Sequence, residues 1–198
     1  LPLSVDVKKL YIIGGCNGAG KTTASFNILP ELLNCKEFVN ADEIARGLSP
    51  FQPEKVSIEA GRLMLTRIDE LILSNQDFSF ETTLSTRSFI HTIDRAKSSG
   101  YFVTLIFFWL ESVELAKDRV KKRVSEGGHH IDNEVIIRRY ELGIKNLFNL
   151  YADRVDSLLI FDNSALESDL IAEKKLSGEF NVYQLEKYNK LKLIADER

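Results

Sequence analysis

The chain has 198 residues, 44% of them hydrophobic, and a net charge of −3, so it can bury a full core as one domain over 1–198 and lacks the basic excess typical of nucleic-acid binding. No apolar run approaches the roughly 18 residues that cross a membrane, so no membrane contact is expected. The two cysteines, Cys16 and Cys35, form neither a disulfide framework nor a metal motif, which favours a reducing compartment such as the cytoplasm.

Strands and helices alternate along the sequence, which predicts an α/β fold: a mostly parallel sheet with helices on both faces. The five predicted strands lie at 9–13, 37–40, 78–81, 101–110 and 157–161. The predicted helices lie at 22–29, 53–73, 87–98, 112–125 and 132–151. In the tail, 165–198, we expect a helix, a short strand at 179–183 and a charged final helix. An apolar face of the helix at 53–73 is predicted from Ile58, Leu65, Ile68 and Ile72.

The stretch 15–22, with the sequence GCNGAGKT, fits the phosphate-binding loop pattern G-x-x-x-x-G-K-[ST] between a predicted strand and a predicted helix. In such a loop, backbone N–H groups and the positive end of the helix dipole face the phosphates. We expect Lys21 to contact the β- and γ-phosphates and Thr22 to ligate Mg²⁺. The sequence therefore predicts nucleoside triphosphate binding; an ordinary glycine-rich turn is the alternative. The other loop residues expected around the nucleotide are Gly15, Cys16, Asn17, Gly18, Ala19, Gly20 and Thr23.

Cys16 lies inside this loop and has two interpretations. It could be a redox-sensitive site, since a thiol beside a phosphate loop would affect nucleotide binding when modified. It could also be a position where the loop pattern tolerates any residue.

Acidic and amide residues follow three predicted strands, at the edge of a parallel sheet where ligands bind. Asp42 is the candidate base that accepts the proton of an attacking hydroxyl; the alternative is a helix N-cap for a segment that begins at the next residue. Glu81 ends an apolar strand, where an unpaired charge is costly, so we expect it to contact substrate or a Mg²⁺-bound water. Thr82 and Thr83 are candidates for substrate contact or for capping the next helix. Asn163 is expected to contact the nucleotide base or to form a turn.

Arginines flank a glycine-rich turn in the segment 117–140, an arrangement that kinase lids use to close over a transferring phosphoryl group. The candidate lid arginines are Arg119, Arg123, Arg138 and Arg139. A basic face exposed to solvent is the alternative. Zinc binding is not expected at His129 and His130, because no third ligand follows at a suitable spacing. His129 is instead expected to contact the substrate.

In this order, the motifs resemble the zeta toxin family over 8–165. They are the phosphate loop, NADEIA at 40–45, FETTL at 80–84, the lid arginines with GGH at 127–129, RRY at 138–140 and DNS at 162–164. Zeta toxins are P-loop kinases, and the best-known ones phosphorylate the sugar 3′-hydroxyl of UDP-N-acetylglucosamine. The resemblance implies ATP and Mg²⁺ at Lys21 and Thr22, Asp42 as the base, and Glu81 with Thr82 near the substrate hydroxyl. It also implies the strand order 2-3-1-4-5 and an antitoxin as a possible partner.

The chain is shorter than the well-studied zeta toxins and has no recognisable sugar-binding insertion after the lid, so the resemblance covers the kinase core and leaves the acceptor open. Two functions remain. The first is a kinase that transfers the γ-phosphoryl group of ATP to a hydroxyl of a small molecule, with a nucleotide sugar as the first candidate. The second is a P-loop ATPase whose hydrolysis drives a conformational change in a protein partner.

Overall fold

The computed structural model describes residues 7–31, 33–128, 130–176 and 178–197. Its seven-stranded sheet has the order β2-β3-β1-β4-β5-β6-β7. The strands are β1 (Lys9–Gly14), β2 (Glu37–Val39), β3 (Phe78–Thr82), β4 (Phe102–Trp109), β5 (Ser157–Asp162), β6 (Asp169–Lys174) and β7 (Phe180–Val182). The first five strands are parallel, which confirms the expected order 2-3-1-4-5, and β6 and β7 extend the sheet in antiparallel fashion.

Helices cover the sheet in a three-layer α/β arrangement. They are α1 (Lys21–Glu31), α2 (Ala41–Leu48), α3 (Ser57–Leu73), α4 (Ile90–Ser98), α5 (Val113–Ser125), α6 (Asn133–Asn146) and α7 (Leu185–Asp196). A 3₁₀ turn at Pro53–Val56 leads into α3, and a wider π-helical turn at Leu147–Tyr151 extends α6. Within the described ranges, no helix is both long enough and apolar enough to span a membrane.

The centre of the core is formed by β1 and β4, whose side chains are buried on both faces of the sheet. At the end of β4, the indole N–H of Trp109 donates a hydrogen bond to the Tyr140 hydroxyl at 3.0 Å, and that hydroxyl donates to the Leu110 carbonyl at 2.8 Å. Burial raises the pKa of Tyr140, so the hydroxyl keeps its proton and remains a donor. These contacts fix α6, which carries the second half of the predicted lid, against the edge of the sheet where the ligand site is expected.

The expected arrangement is wrong in the tail and in the number of strands, and one helix begins later than expected. The tail contains the strand β6 where a helix was expected, and the sheet has seven strands where five were expected. The segment DLIAEK pairs with β5; its charged residues range from the exposed Asp169 to the buried Lys174, so charge and apolarity do not alternate along it and the sequence gives little periodic signal. The helix expected from 87 begins at Ile90, whereas the helix expected to reach 151 does so, with its last turn in the wider π-helical form.

Candidate active site

The phosphate loop joins β1 to α1 and lies tightly against the neighbouring strands. Gly15 has a φ of +143°, and a Cβ there would lie 2.4 Å from the carbonyl oxygen of Phe108. Gly20 has a φ of +79°, and a Cβ there would lie 2.5 Å from the side-chain nitrogen of Asn163. Both positions therefore require glycine, for their backbone conformation and for lack of space.

Lys21, Thr22 and Glu81 form one hydrogen-bonded group at the start of α1. The buried Lys21 ammonium donates to the Cys16 carbonyl at 3.0 Å and lies 3.3 Å from one carboxylate oxygen of Glu81. The other carboxylate oxygen accepts from the Thr22 hydroxyl at 2.7 Å and from the Asn40 amide at 2.9 Å. These partners offset the cost of burying the Glu81 charge at the end of β3.

A cavity of about 180 Å³ lies over the loop; we call it the phosphate cavity. It is lined by Asn17, Gly18, Gly20, Lys21, Thr22, Thr23, Asp42, Glu81, Arg119 and Arg123. The Arg119 guanidinium is already occupied, because it donates to the carbonyl oxygens of Asn163 and Ser164, both at 2.8 Å. In contrast, the Nε and Nη2 atoms of Arg123 are buried and have no hydrogen-bond partner among the described residues. Since buried N–H donors without an acceptor are costly, Arg123 has donors available for an anion in this cavity.

The turn after β5 holds the phosphate loop from the side. The Asn163 amide donates to the Ala19 carbonyl at 2.7 Å, and the Asp162 carboxylate accepts from the backbone N–H of Ser164 at 2.9 Å. Asp162 also pairs with Lys187 of α7 at 2.6 Å. Burial alone would raise the pKa of Asp162, but the bonds from Lys187 and Ser164 hold it below its ordinary value. Asn163 thus forms the turn that was one of its two expected roles, and it contacts the loop through its side chain.

We expect Lys187→Met to lower the free energy of unfolding by roughly 1–2 kcal/mol at pH 7, because Asp162 would keep a buried charge with fewer partners. Since the folded-state pKa of Asp162 lies below its unfolded value, this stabilisation is present above the unfolded pKa and is lost as the pH falls through the folded one. Urea unfolding at pH 7 and at about pH 3 measures both effects, with Lys187→Arg as the control. Identical midpoints for Met and Arg variants at pH 7 would contradict the role of this pair.

Asp42 lies in the first turn of α2, which begins at Ala41 directly after the loop that follows β2. The N-cap is Asn40, whose side-chain oxygen accepts from the Asp42 backbone N–H at 2.8 Å. The interpretation of Asp42 as the cap is therefore wrong, and its carboxylate is not committed to the helix end. Asp42 lines the phosphate cavity and also a neighbouring cavity of about 500 Å³, which we call the large cavity.

Helix α6 reaches the phosphate loop through Arg139, which donates to the Asn17 side-chain oxygen at 3.0 Å and lines the large cavity. Burial lowers the pKa of Arg139, and the nearby Asp42 carboxylate opposes this shift. Arg138 is exposed and is not among the residues that line either cavity. The structure thus brings Arg139 into the site and leaves its neighbour on the outer face. His129 lies outside the described residues.

Thr82 and Thr83 both line the large cavity, and neither caps a helix, because α4 begins several residues later. The Thr82 hydroxyl accepts from the Leu84 backbone N–H at 3.1 Å. Leu84 has a φ of +55°, a conformation that costs a leucine on the order of 1 kcal/mol or more. The Leu84 carbonyl accepts from the Asn146 amide at 2.7 Å, so α6 holds this strained segment in place.

The Cys16 side chain is buried in the core and does not line the phosphate cavity. It is only 4% exposed and lies beside aromatic core residues such as Trp109 and Tyr140. Burial raises the pKa of its thiol to about 11, so the thiol is protonated and poorly nucleophilic at neutral pH. This favours the interpretation of Cys16 as a tolerated loop position over that of a redox-sensitive site.

One wall of the large cavity was missed by the sequence patterns. The expected apolar face of α3 included Ile58 and Leu65, but these are 74% and 40% exposed and line the cavity. The core face of the helix consists of Ala60, Met64, Ile68, Leu71 and Ile72. Periodicity shows that a helix has an apolar stripe, but it does not show which part of that stripe another element covers.

The family model described as Zeta toxin matches residues 3–170. An uncharacterized protein of Haemophilus influenzae is 34% identical over 141 residues, which cover 67% of this chain and 98% of that protein.

Solved structures with the same fold include complexes of AvrRxo1-ORF1 with AvrRxo1-ORF2. The complex with sulphate ions has a TM-score of 0.76 at 22% identity, and the complex with ATP has 0.73 at 21%; each match covers 93% of this chain and 63% of that chain. This chain therefore spans less than two thirds of those structures. The PezAT toxin–antitoxin system of Streptococcus pneumoniae matches with a TM-score of 0.67 at 16% identity, over 97% of this chain and 87% of that chain.

At these identities the solved structures show only a shared fold, whereas the family model shows family membership from the sequence. That match runs through every element that builds the two cavities, from β1 to the end of β5. The chain therefore belongs to the zeta toxin family of P-loop kinases.

Proposed function

We propose that this protein transfers the γ-phosphoryl group of ATP, in the presence of Mg²⁺, to a hydroxyl group of a small molecule. The observation that carries the proposal is the position of Asp42, which lines the phosphate cavity and the large cavity at once. A carboxylate between a triphosphate site and a site for a second molecule can accept the proton of a hydroxyl as that hydroxyl attacks the γ-phosphate.

The other groups of the phosphate cavity have roles that follow from their charge and surroundings. Lys21 would bind the β- and γ-phosphates, and Arg123 would neutralise the charge that spreads over the transferring group. Arg139, which reaches the loop through Asn17, would hold the lid helix over the site. The loop amides, at the N-terminus of α1, would bind the remaining phosphate oxygens.

Magnesium fits the donors present. The Thr22 hydroxyl and the Glu81 carboxylate are in direct contact, and both offer the oxygen ligands that this ion prefers. The described residues contain no cluster of three or more histidine, cysteine or acidic side chains suited to a metal, so phosphate oxygens and water would complete the coordination. Bound there, Mg²⁺ would supply positive charge to the phosphates during transfer.

The acceptor site would be the large cavity, whose volume of about 500 Å³ lies within the range of small-molecule sites. Its hydroxyl groups, from Thr82, Thr83 and the residues that follow, could hydrogen-bond a polar acceptor. UDP-N-acetylglucosamine is the first candidate because members of the family phosphorylate it. A protein antitoxin is a second proposed partner, since the similar structures include the PezAT toxin–antitoxin system.

The function is tested by incubating the protein with Mg²⁺ and ATP labelled at the γ-phosphate, together with a panel of hydroxyl compounds. The panel contains UDP-N-acetylglucosamine, N-acetylglucosamine and nicotinamide dinucleotides, and a reaction with EDTA is the control. We expect one compound to gain label in proportion to the ADP formed. Release of free phosphate that requires a protein partner, with no labelled acceptor, would favour the ATPase interpretation.

A further inference from the structure

Helix α3 presents a distinct surface to the large cavity, which we call the α3 face. It consists of Ile58, Gly61, Arg62 and Leu65. Spaced as i, i+3, i+4 and i+7, these residues share one side of the helix. Two of them are apolar and exposed, whereas Ile68, on the core side of the same helix, is fully buried. Exposed apolar side chains that line a cavity mark a surface for a ligand.

Gly61 has no structural reason to be glycine. It lies inside α3, where glycine costs roughly 1 kcal/mol relative to alanine, and its φ is not positive. A Cβ at this position would meet no atom of the described residues within 4 Å. Since the position faces the large cavity, the missing side chain leaves a shallow gap in the cavity wall between Ile58 and Leu65.

Arg62 lines the same wall and forms no ion pair with any of the described residues. In contrast, Arg67 on the same helix forms two ion pairs, with Glu37 at 2.8 Å and with Glu70 at 3.2 Å. Arg62 thus offers a guanidinium without a carboxylate partner among the described residues, and it lines a cavity that also contains hydroxyl groups. Such a group binds phosphate or carboxylate through paired N–H donors.

We propose that the α3 face recognises the acceptor: an uncharged ring or acyl group of the acceptor packs flat on Gly61 between the two apolar side chains, and an anionic group pairs with Arg62. This inference rests on the proposed kinase function and narrows the chemical class of its acceptor. The acceptor is a hydroxyl compound with an apolar part and a negative charge, and a neutral sugar lacks the second contact.

The first test measures binding of UDP-N-acetylglucosamine, and separately of glucuronate, by calorimetry to protein saturated with ADP and Mg²⁺, so that the phosphate loop is filled. Gly61→Leu should weaken binding of the probe by about tenfold or more, because the new side chain fills the gap. Gly47→Leu is the matched control: Gly47 lies in α2, its Cβ would also meet nothing within 4 Å, and it lines neither cavity. Gly61→Ala should raise the melting temperature, which shows that the glycine is not required for folding.

The second test uses Arg62→Gln, which should weaken binding of the anionic probes by about tenfold. Arg67→Gln is the control on the same helix. If wild-type protein binds neither probe, or if both Gly61→Leu and Arg62→Gln bind as wild type does, the α3 face is not the recognition surface. If the probe binds through these residues but no acceptor gains phosphate, the kinase proposal fails and the recognition surface stands.

Discussion

Asp42→Asn should lower the rate of phosphoryl transfer by about 10²–10⁴-fold, the range that a positioned general base contributes. The substitution keeps the shape of the side chain and the Asn40 cap, which bonds to the backbone N–H of residue 42 and not to its side chain. An amide cannot accept the proton of the attacking hydroxyl. ATP affinity should change little, because Lys21 and the loop amides bind the phosphates. Transfer to the labelled acceptor and equilibrium binding of ATP measure the two effects separately.

The matched control is Glu43→Gln, since Glu43 is the neighbouring acid on α2, pairs with Arg46 at 3.5 Å and lines neither cavity. It should retain the transfer rate of the unaltered protein. Full transfer activity in Asp42→Asn would show that another group accepts the proton. ATP hydrolysis that survives in this variant and increases with a protein partner would instead favour a nucleotide-driven switch.

Arg123→Met should lower kcat for transfer by about 10²–10³-fold, the loss typical when one donor to a transition state is removed. The same change should leave stability unchanged or increase it, because Nε and Nη2 of Arg123 are buried without partners among the described residues. This combination, lower activity with equal or higher stability, distinguishes a functional arginine from a structural one. Steady-state kinetics and thermal unfolding of the variant test both parts.

Arg119→Met is the comparison on the same helix. Its guanidinium holds the carbonyl groups of Asn163 and Ser164, so its loss should lower the melting temperature. If Arg123→Met instead lowers the melting temperature and keeps kcat, then Arg123 supports the fold and does not act on the phosphoryl group.

The phosphate loop was predictable from sequence because its requirements are local. Gly15 and Gly20 have positive φ angles and no space for a Cβ, so both positions require glycine. The lysine and threonine follow at fixed positions in the pattern. The strand order came from the resemblance to a family, which local patterns alone do not provide. The sequence also indicated that Glu81 needs partners, because an unpaired charge is costly on an apolar strand. The structure supplies them from Lys21, Thr22 and Asn40, and the expected contact with substrate or a Mg²⁺-bound water stays a prediction.

Features that depend on contacts between distant segments were not predictable. Arg119 and Arg123 share a helix face, yet only Arg119 has hydrogen-bond acceptors for its guanidinium. The turn after β5 supplies them, and it does not reach the Nε and Nη2 atoms of Arg123. Arg138 and Arg139 are neighbours in sequence, and packing of α6 on Trp109 decides which one faces the site. The strand β6 was taken for a helix because its stability comes from pairing with β5.

The burial of Cys16 limits how this protein can be targeted chemically. A search for cysteines within nucleotide-binding motifs would select Cys16 as an attachment point for an electrophilic inhibitor. Its thiol, however, is buried beside aromatic core residues and does not line the phosphate cavity. A covalent compound aimed at the loop would therefore find no nucleophilic sulfur within reach. Reversible compounds that span both cavities across Asp42 are the better chemical starting point.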